Sequence, residues 1–330
     1  MKPTMKEVAH AAGVSLSAVS RAFTPGASLD LEKRKRILAA AQAIGYTSPA
    51  RRTAEAIAAN TVTLVAGDLL NPFYPMVLDS LAKQLQQSGK QLIVYALSSS
   101  LNIDAVTDQV LAARPAAVIV TSALLTSNMA RACRQHQIKV VLLNRIQQNI
   151  KIHSIACDNY RGGQDVARLF LMKERRRIGF IGARMDPRST RRLQGYRAAM
   201  TEAGLFDSRL VTTTTKPSSV TIGTKLFEEA IERVPSLDGI VCNNDDIALG
   251  VLFACNRAGI PVPKRLCIIG FNDFEMMDVA YPTITSIRTP RYQIGRTAIA
   301  MALQALDGSR PAERVVDLGF ELRIRQSTMR

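Results

Sequence analysis

From Thr61 onward, short apolar runs of four to six residues alternate with stretches of helical periodicity, and this alternation narrows the choice of fold more than any other feature. Runs that read as strands lie at Val62–Gly67, Gln91–Ala96, Ala117–Thr121, Lys139–Leu143, Arg177–Ile181, Leu210–Thr213, Gly239–Cys242 and Leu266–Gly270. A helical pattern follows each of them, the last running from Arg291 to Leu306. Strands that alternate with helices build parallel sheets covered by helices. Two such groups within about 270 residues predict an α/β body of two doubly wound parallel-sheet lobes, with small ligands at the carboxyl ends of the strands. Neither G-x-G-x-x-G after a strand nor G-x-x-x-x-G-K-[ST] occurs, so nucleotide-binding readings lack a phosphate cradle.

The chain has 330 residues, 47% of them hydrophobic, enough to fill ordinary cores. No apolar stretch reaches the roughly 18 residues needed to cross a bilayer. Glu7 and His10 interrupt the N-terminal segment where a secretion signal needs an apolar run. Five scattered cysteines without a C-x-x-C pair fit reduced thiols better than a disulfide framework or a zinc site. The expectation is a cytoplasmic protein with no membrane partner, no metal and no cofactor. The net charge is +16, which favours polyanionic partners. Residues 1–60 hold nine basic and four acidic residues, making that segment about twice as basic per residue as the remainder.

Within that segment, Val8, Ala9 and Ala12 fall at helical spacing, Gly13 ends the helix, and Ser15 supplies an N-cap oxygen for a second one. Val19, Ala22 and Phe23 form the buried side of the second helix, while Leu16, Ser17, Ala18 and Arg21 are expected to point outward. Two short helices joined by a tight glycine turn make a helix-turn-helix, whose second helix enters a major groove. A third helix is predicted from Leu31 to Ile44, with Asp30 as its cap. Ile37, Leu38, Ala41 and Ile44 should face inward, and Lys33 to Arg36 should lie within reach of phosphates.

The string Val8-Ala9-His10-Ala11-Ala12-Gly13-Val14-Ser15-Leu16-Ser17-Ala18-Val19-Ser20-Arg21 resembles the DNA-binding headpiece of the LacI/GalR family of bacterial transcription regulators. Ala18 replaces the threonine usual in that motif. The resemblance continues through Asn71-Pro72-Phe73-Tyr74, Asp158-Asn159, Asn244 to Gly250, Gly270-Phe271-Asn272-Asp273 and the closing Arg325-Gln326-Ser327-Thr328, and so covers the whole chain. It implies a headpiece over residues 1–46, a linker with a hinge helix over 47–61, and a periplasmic-binding-protein-like core over 62–330. It also implies contacts to operator DNA from Ser15, Leu16, Ser17, Ala18, Ser20 and Arg21, and a minor-groove wedge at Ile57, with Ala56 as its rival. The implied effector contacts are Asn71, Phe73, Asp158, Arg188, Arg192, Asp245 and Asn272, the last standing where relatives often carry aspartate. The implied protein is a homodimeric repressor on a near-palindromic double-stranded operator, controlled by a small sugar or sugar derivative and without catalytic residues.

Arg184, Arg188, Arg191, Arg192 and Arg197 fall within fourteen residues, with Asp186 the one acid among them. Guanidinium groups near a helix N-terminus suit carboxylate or phosphate, which points to an anionic effector with Arg192 best placed; the alternative is a solvated cluster beside Lys173, Arg175, Arg176 and Arg177. Gly182 to Asp186, Cys242 to Asp246, Thr289-Pro290-Arg291 and Asp317 to Phe320 resemble the gluconate-repressor branch of the family. Two rivals remain. A solute-binding receptor without a DNA role leaves residues 1–46 without a purpose, and an enzyme finds no catalytic motif around His10, His136 or His153.

Overall fold

The computed structural model describes residues 3–24, 26–49, 60–67, 69, 71–97, 103–121, 125–144, 152–183, 191–306 and 313–329. Ile57, Ala56, Arg184 and Arg188 lie outside the described residues.

The headpiece consists of α1 (Met5–Ala12), α2 (Leu16–Phe23) and α3 (Leu31–Ala43). Thr4 and Glu7 cap α1 reciprocally, and Gly13 closes it in the left-handed region at φ 61. Ser15 Oγ accepts the Ala18 N–H at 3.3 Å and so opens α2. Val8, Ala12, Val19, Ala22, Ile37 and Ala41 bury together, as the spacing predicts. Leu38, expected inward, is 41% exposed, because the next turn of α3 already fills the core with Ala41.

Two six-stranded sheets form the body. The first has the order β11-β5-β4-β3-β1-β2, built from β1 (Thr61–Ala66), β2 (Gln91–Ala96), β3 (Ala117–Thr121), β4 (Lys139–Leu143), β5 (His153–Ala156) and β11 (Val315–Asp317). The second has the order β12-β10-β9-β8-β6-β7, from β6 (Ile178–Gly182), β7 (Val211–Thr213), β8 (Gly239–Cys242), β9 (Cys267–Asn272), β10 (Thr285–Arg288) and β12 (Glu321–Arg323). All pairings are parallel except that of β10 with β12. β1, β3, β6, β8 and β9 are buried along their whole length, as sheets covered on both faces require.

Helices α4 (Phe73–Gln87) and α12 (Arg291–Leu306) cover one face of the first sheet, and α5 (Thr107–Ala113) and α6 (Ser127–Gln135) the other. In the second lobe, α9 (Val220–Arg233) and α10 (Asp245–Arg257) lie opposite α7 (Asn159–Met172) and α8 (Arg191–Glu202), and the short α11 (Met276–Val279) follows β9. The chain passes between lobes three times: from β5 to α7, from β10 to α12, and from β11 to β12. Four of the twelve strands, β5, β10, β11 and β12, were not expected from the apolar runs.

Gly163 of α7 and Gly195 of α8 bring these two helices into backbone contact. A Cβ on Gly195 would sit 1.9 Å from Tyr160 O, and one on Gly163 would sit 2.1 Å from Arg192 O. Both collisions are with backbone, which cannot swing aside. Gly195→Ala is therefore expected to cost at least about 1–3 kcal/mol in urea unfolding.

Candidate functional site

On α2, Ser15, Leu16, Ser17, Ser20 and Arg21 are exposed on one side of the helix, and Leu16 is 46% accessible. Ala18 departs from expectation. It is 1% exposed and packs with Val8 and Val19, since a residue four positions before the buried Ala22 shares its face. Ser15 is engaged locally, bonding Ser17 Oγ at 3.0 Å as well as capping the helix. Arg21 Nε donates to Ser17 O at 3.4 Å, which holds its stem along the helix surface. Arg34, expected near phosphates, instead donates to Ala27 O at 2.7 Å and Ala22 O at 3.4 Å, tying the turn after α2 to α3. Lys33 and Arg36 are exposed, and Lys35 pairs with Glu32 at 2.9 Å.

In the body, the polar site gathers where β6, β8 and β9 end. Arg192 leaves the first turn of α8 and enters this crevice. Its Nε donates to Asn159 Oδ1 at 2.7 Å, Nη1 donates to Asn243 O, and Nη2 reaches Asn272 Oδ1 at 3.5 Å. The guanidinium lies over the Phe271 ring, 3.5 Å from its centroid. Loss of water lowers its pKa to about 10, while Tyr74, Cys157 and Asp245 oppose that shift, so it stays charged at neutral pH. Arg191 stacks at 5.2 Å over Tyr160 and Arg197 at 5.1 Å over Phe206, so of the described arginines in this run Arg192 alone turns into the crevice.

The other expected residues divide in two. Asn272 is 3% exposed, holds φ 110 and meets Arg192, and Asp158 caps α7 through Tyr160 N and Arg161 N at 3.0 Å. Asp158 N–H also donates to Asp317 Oδ1 at 3.1 Å, joining two crossings. Asn71 accepts the Phe73 N–H at 3.0 Å and so starts α4. Phe73 and Asp245, also expected as effector contacts, are buried. Phe73 belongs to the first-lobe core with Val77 and Phe274, because the α4 stripe that begins at Phe73 faces the sheet. Asp245 is 0% exposed; its oxygens accept Ser286 Oγ–H at 2.7 Å and Phe274 N–H at 2.8 Å, binding β10 and the loop after β9 to α10. Asn159, Asn243, Phe271 and Tyr74 were not singled out, although all four sit in the motif strings.

Beside this crevice lies an open cavity of about 1030 Å³, lined by Pro72 and Arg291 from the first lobe, Asp246 and Phe320 from the second, and Phe274 of the segment after β9. Thr289, on the crossing into α12, also lines it. Asp273 sits there in the left-handed region at φ 57, clamped by Arg288 at 2.5 Å and Arg325 at 2.7 Å. Cys157 is pushed up to about 12 by burial, aided by Asp317, and is a neutral thiol. Among the described residues, no group of three or more metal-ligating side chains comes together, and no helix is long and apolar enough to cross a membrane.

A headpiece with an outward-facing α2, followed by two crossed-over parallel lobes, matches two family profiles. One, "Bacterial regulatory proteins, lacI family", covers residues 4–48, and the other, "Periplasmic binding protein-like domain", covers residues 167–328. The HTH-type transcriptional regulator GntR of Pseudomonas aeruginosa is 32% identical over 99% of this chain and 96% of its own. The chain belongs to the LacI family. The regulator of the same name from Escherichia coli K12 is 28% identical over 97% of each chain. The crystal structure of transcription regulator GntR from Chromobacterium violaceum superposes with a TM-score of 0.75 at 32% identity, covering 81% of this chain and 99% of that one. The protein is a DNA-binding transcription regulator and not an enzyme; its headpiece binds DNA and its two-lobed body binds the effector.

Asp245 gives this LacI-family body a pH signature. Burial raises its pKa to about 6, with Asp273 adding to the shift while Ser286, Phe274 and Arg291 oppose it. Between the unfolded value of 3.8 and about 6 the folded state binds the extra proton, so stability falls as pH rises through that window. Moving from pH 7 to pH 5 is expected to stabilise the native body by about 1 kcal/mol more than it stabilises Asp245→Asn, read from urea midpoints at both pH values.

Proposed function

We propose that this LacI-family regulator is a homodimeric repressor that binds a near-palindromic operator and is switched by a sugar acid held between its lobes. Arg192 carries the effector reading: a desolvated cation stacked on Phe271 at the strand ends, where a small ligand of a doubly wound sheet binds, gives the crevice a positive potential that favours an anionic ligand. Asp158 and Asn272 supply hydrogen-bond partners for hydroxyl groups, with Asn71, Phe73, Arg188 and Asp245 as further proposed contacts. The resemblance to the gluconate-repressor branch supports the same class of ligand.

On DNA, Leu16 offers apolar contact to a thymine methyl, Arg21 suits guanine, and Ser15, Ser17 and Ser20 reach phosphates or base edges. Ile57 is the proposed wedge in the minor groove. The homodimer reading draws on exposed apolar side chains: Phe253 on α10, Met276 and Val279 on α11, and Tyr281, which is 85% exposed. Ile93 and Val94 add to them on β2, an edge strand. A role on operator DNA fits a cytoplasmic protein.

A gel shift with the DNA upstream of its own gene tests the reading. Arg21→Ala should weaken specific binding by about 10- to 100-fold, the share of one bidentate base contact, without altering the thermal midpoint of the body. Deletion of residues 1–60 should abolish specific binding; a truncated chain that still recognised the duplex would remove the headpiece from the mechanism. Calorimetric titration with D-gluconate should give heat, whereas binding confined to neutral hexoses would overturn the sugar-acid assignment.

A further inference from the structure

Arg192 is tightly committed. Its Nε–H serves Asn159, one hydrogen on each terminal nitrogen faces Asn243 O or Asn272 Oδ1, and one face of the guanidinium is covered by Phe271. Two of its five N–H donors remain for a ligand. Such a group supplies positive potential, but little of the freely aimed, forked surface that grips a carboxylate bidentately.

Arg291 is the second cation between the lobes, and its situation differs. It opens the 16-residue α12, so the positive end of the helix dipole adds to its charge. Among the described residues its side chain makes a single hydrogen bond, from Nη2 to Asp273 O at 3.0 Å, and it lies 5.1 Å from the Phe274 ring centroid. It is partly buried and borders the 1030 Å³ cavity. Desolvation lowers its pKa, so part of its hydration is already gone before a ligand arrives. Thr289, two residues earlier, lines the same cavity at 3% exposure, and its Oγ1 has no hydrogen-bond partner among the described residues. A buried hydroxyl left without a partner is uncommon in a native structure and calls for one. Of the carboxylates whose charge acts on it, Asp245 is bound by Ser286 and Phe274 N–H and Asp273 is clamped by Arg288 and Arg325; Asp246, Glu275, Asp278 and Glu321 also line the cavity, Asp278 being paired with Arg325 at 2.6 Å.

Resting on the sugar-acid reading above, we infer that Arg291, with Thr289 Oγ1 beside it, is the residue that selects a carboxylate-bearing effector over its neutral analogue. Arg192 then orders the polyol end of the pocket through the asparagines it holds. Arg291 belongs to a first-lobe helix and bonds a second-lobe carbonyl, so the ligand's carboxylate engages the group that already spans the crevice.

The test is calorimetric titration of the full-length protein with D-gluconate and with D-glucitol, the alditol of the same length without the carboxylate. Wild type should prefer gluconate by about ten- to a hundredfold, the worth of a hydrogen bond to a charged group. Arg291→Gln should lose that preference through weaker gluconate binding, with glucitol affinity unchanged; Arg291→Lys, which keeps the charge, should retain part of it. A loss of both affinities together in Arg291→Gln would indicate a structural role and overturn the inference. So would an undiminished preference in that variant, while leaving the sugar-acid reading intact. Equal binding of the two ligands by wild type, or binding of neither, would overturn the sugar-acid reading and this inference with it.

Discussion

A parallel ladder can close only if each strand is followed by a crossover that carries the chain back to the starting edge. That geometric demand gathers all the carboxyl ends on one side of the sheet. In both lobes the order places a change of winding direction at the centre, between β1 and β3 and between β6 and β8, where the loops diverge and leave a crevice. The polar residues of the body, Asn159, Asn243 and Asn272, accumulate there because the strands themselves are buried on both faces and have no room for them. Arg192 depends on this arrangement. A guanidinium stripped of water is tolerable only when oxygens meet its donors and a ring covers its face, and three separate strand ends deliver those groups.

How much of this was legible follows from which residues act locally. The helix-turn-helix could be read because its punctuation is local: Gly13 ends α1 and Ser15 caps α2 whatever the rest of the chain does. Ala18 was misassigned because a small residue carries no polarity to say which way it faces, and only the packing of Val8 and Val19 around it decides. The long apolar strands were found, while β5, β10, β11 and β12 were not. They are three or four residues long and carry His153, Ser154, Thr285, Ser286, Glu321 or Arg323, so their extended form comes from pairing partners remote in sequence. The same holds at the site. Asp245 looks like a cleft residue in its motif, yet its oxygens are taken by Ser286 and Phe274, groups 41 and 29 residues away.

Charge tells a similar story. The described members of the arginine cluster read as one positive patch point to different places once folded. Arg191 and Arg197 lie over tyrosine and phenylalanine rings, and Arg192 alone of the described members enters the crevice. In the headpiece, Arg34 uses its donors on backbone carbonyls and so acts as a strut. The net +16 is a statement about partners at long range, and the work of each cation is set by what it touches.

The three passages of the chain between lobes carry a mechanical consequence. One connection would let the halves swivel freely, and two would still permit a scissoring motion. Three side-by-side straps suppress shear and leave bending about a common line as the soft coordinate. Asp158 N–H bonded to Asp317 fastens the first strap to the third, so they flex as one band. Whatever occupies the crevice therefore acts on a single quantity, the opening angle between the lobes, and β1, which begins at Thr61, moves with it.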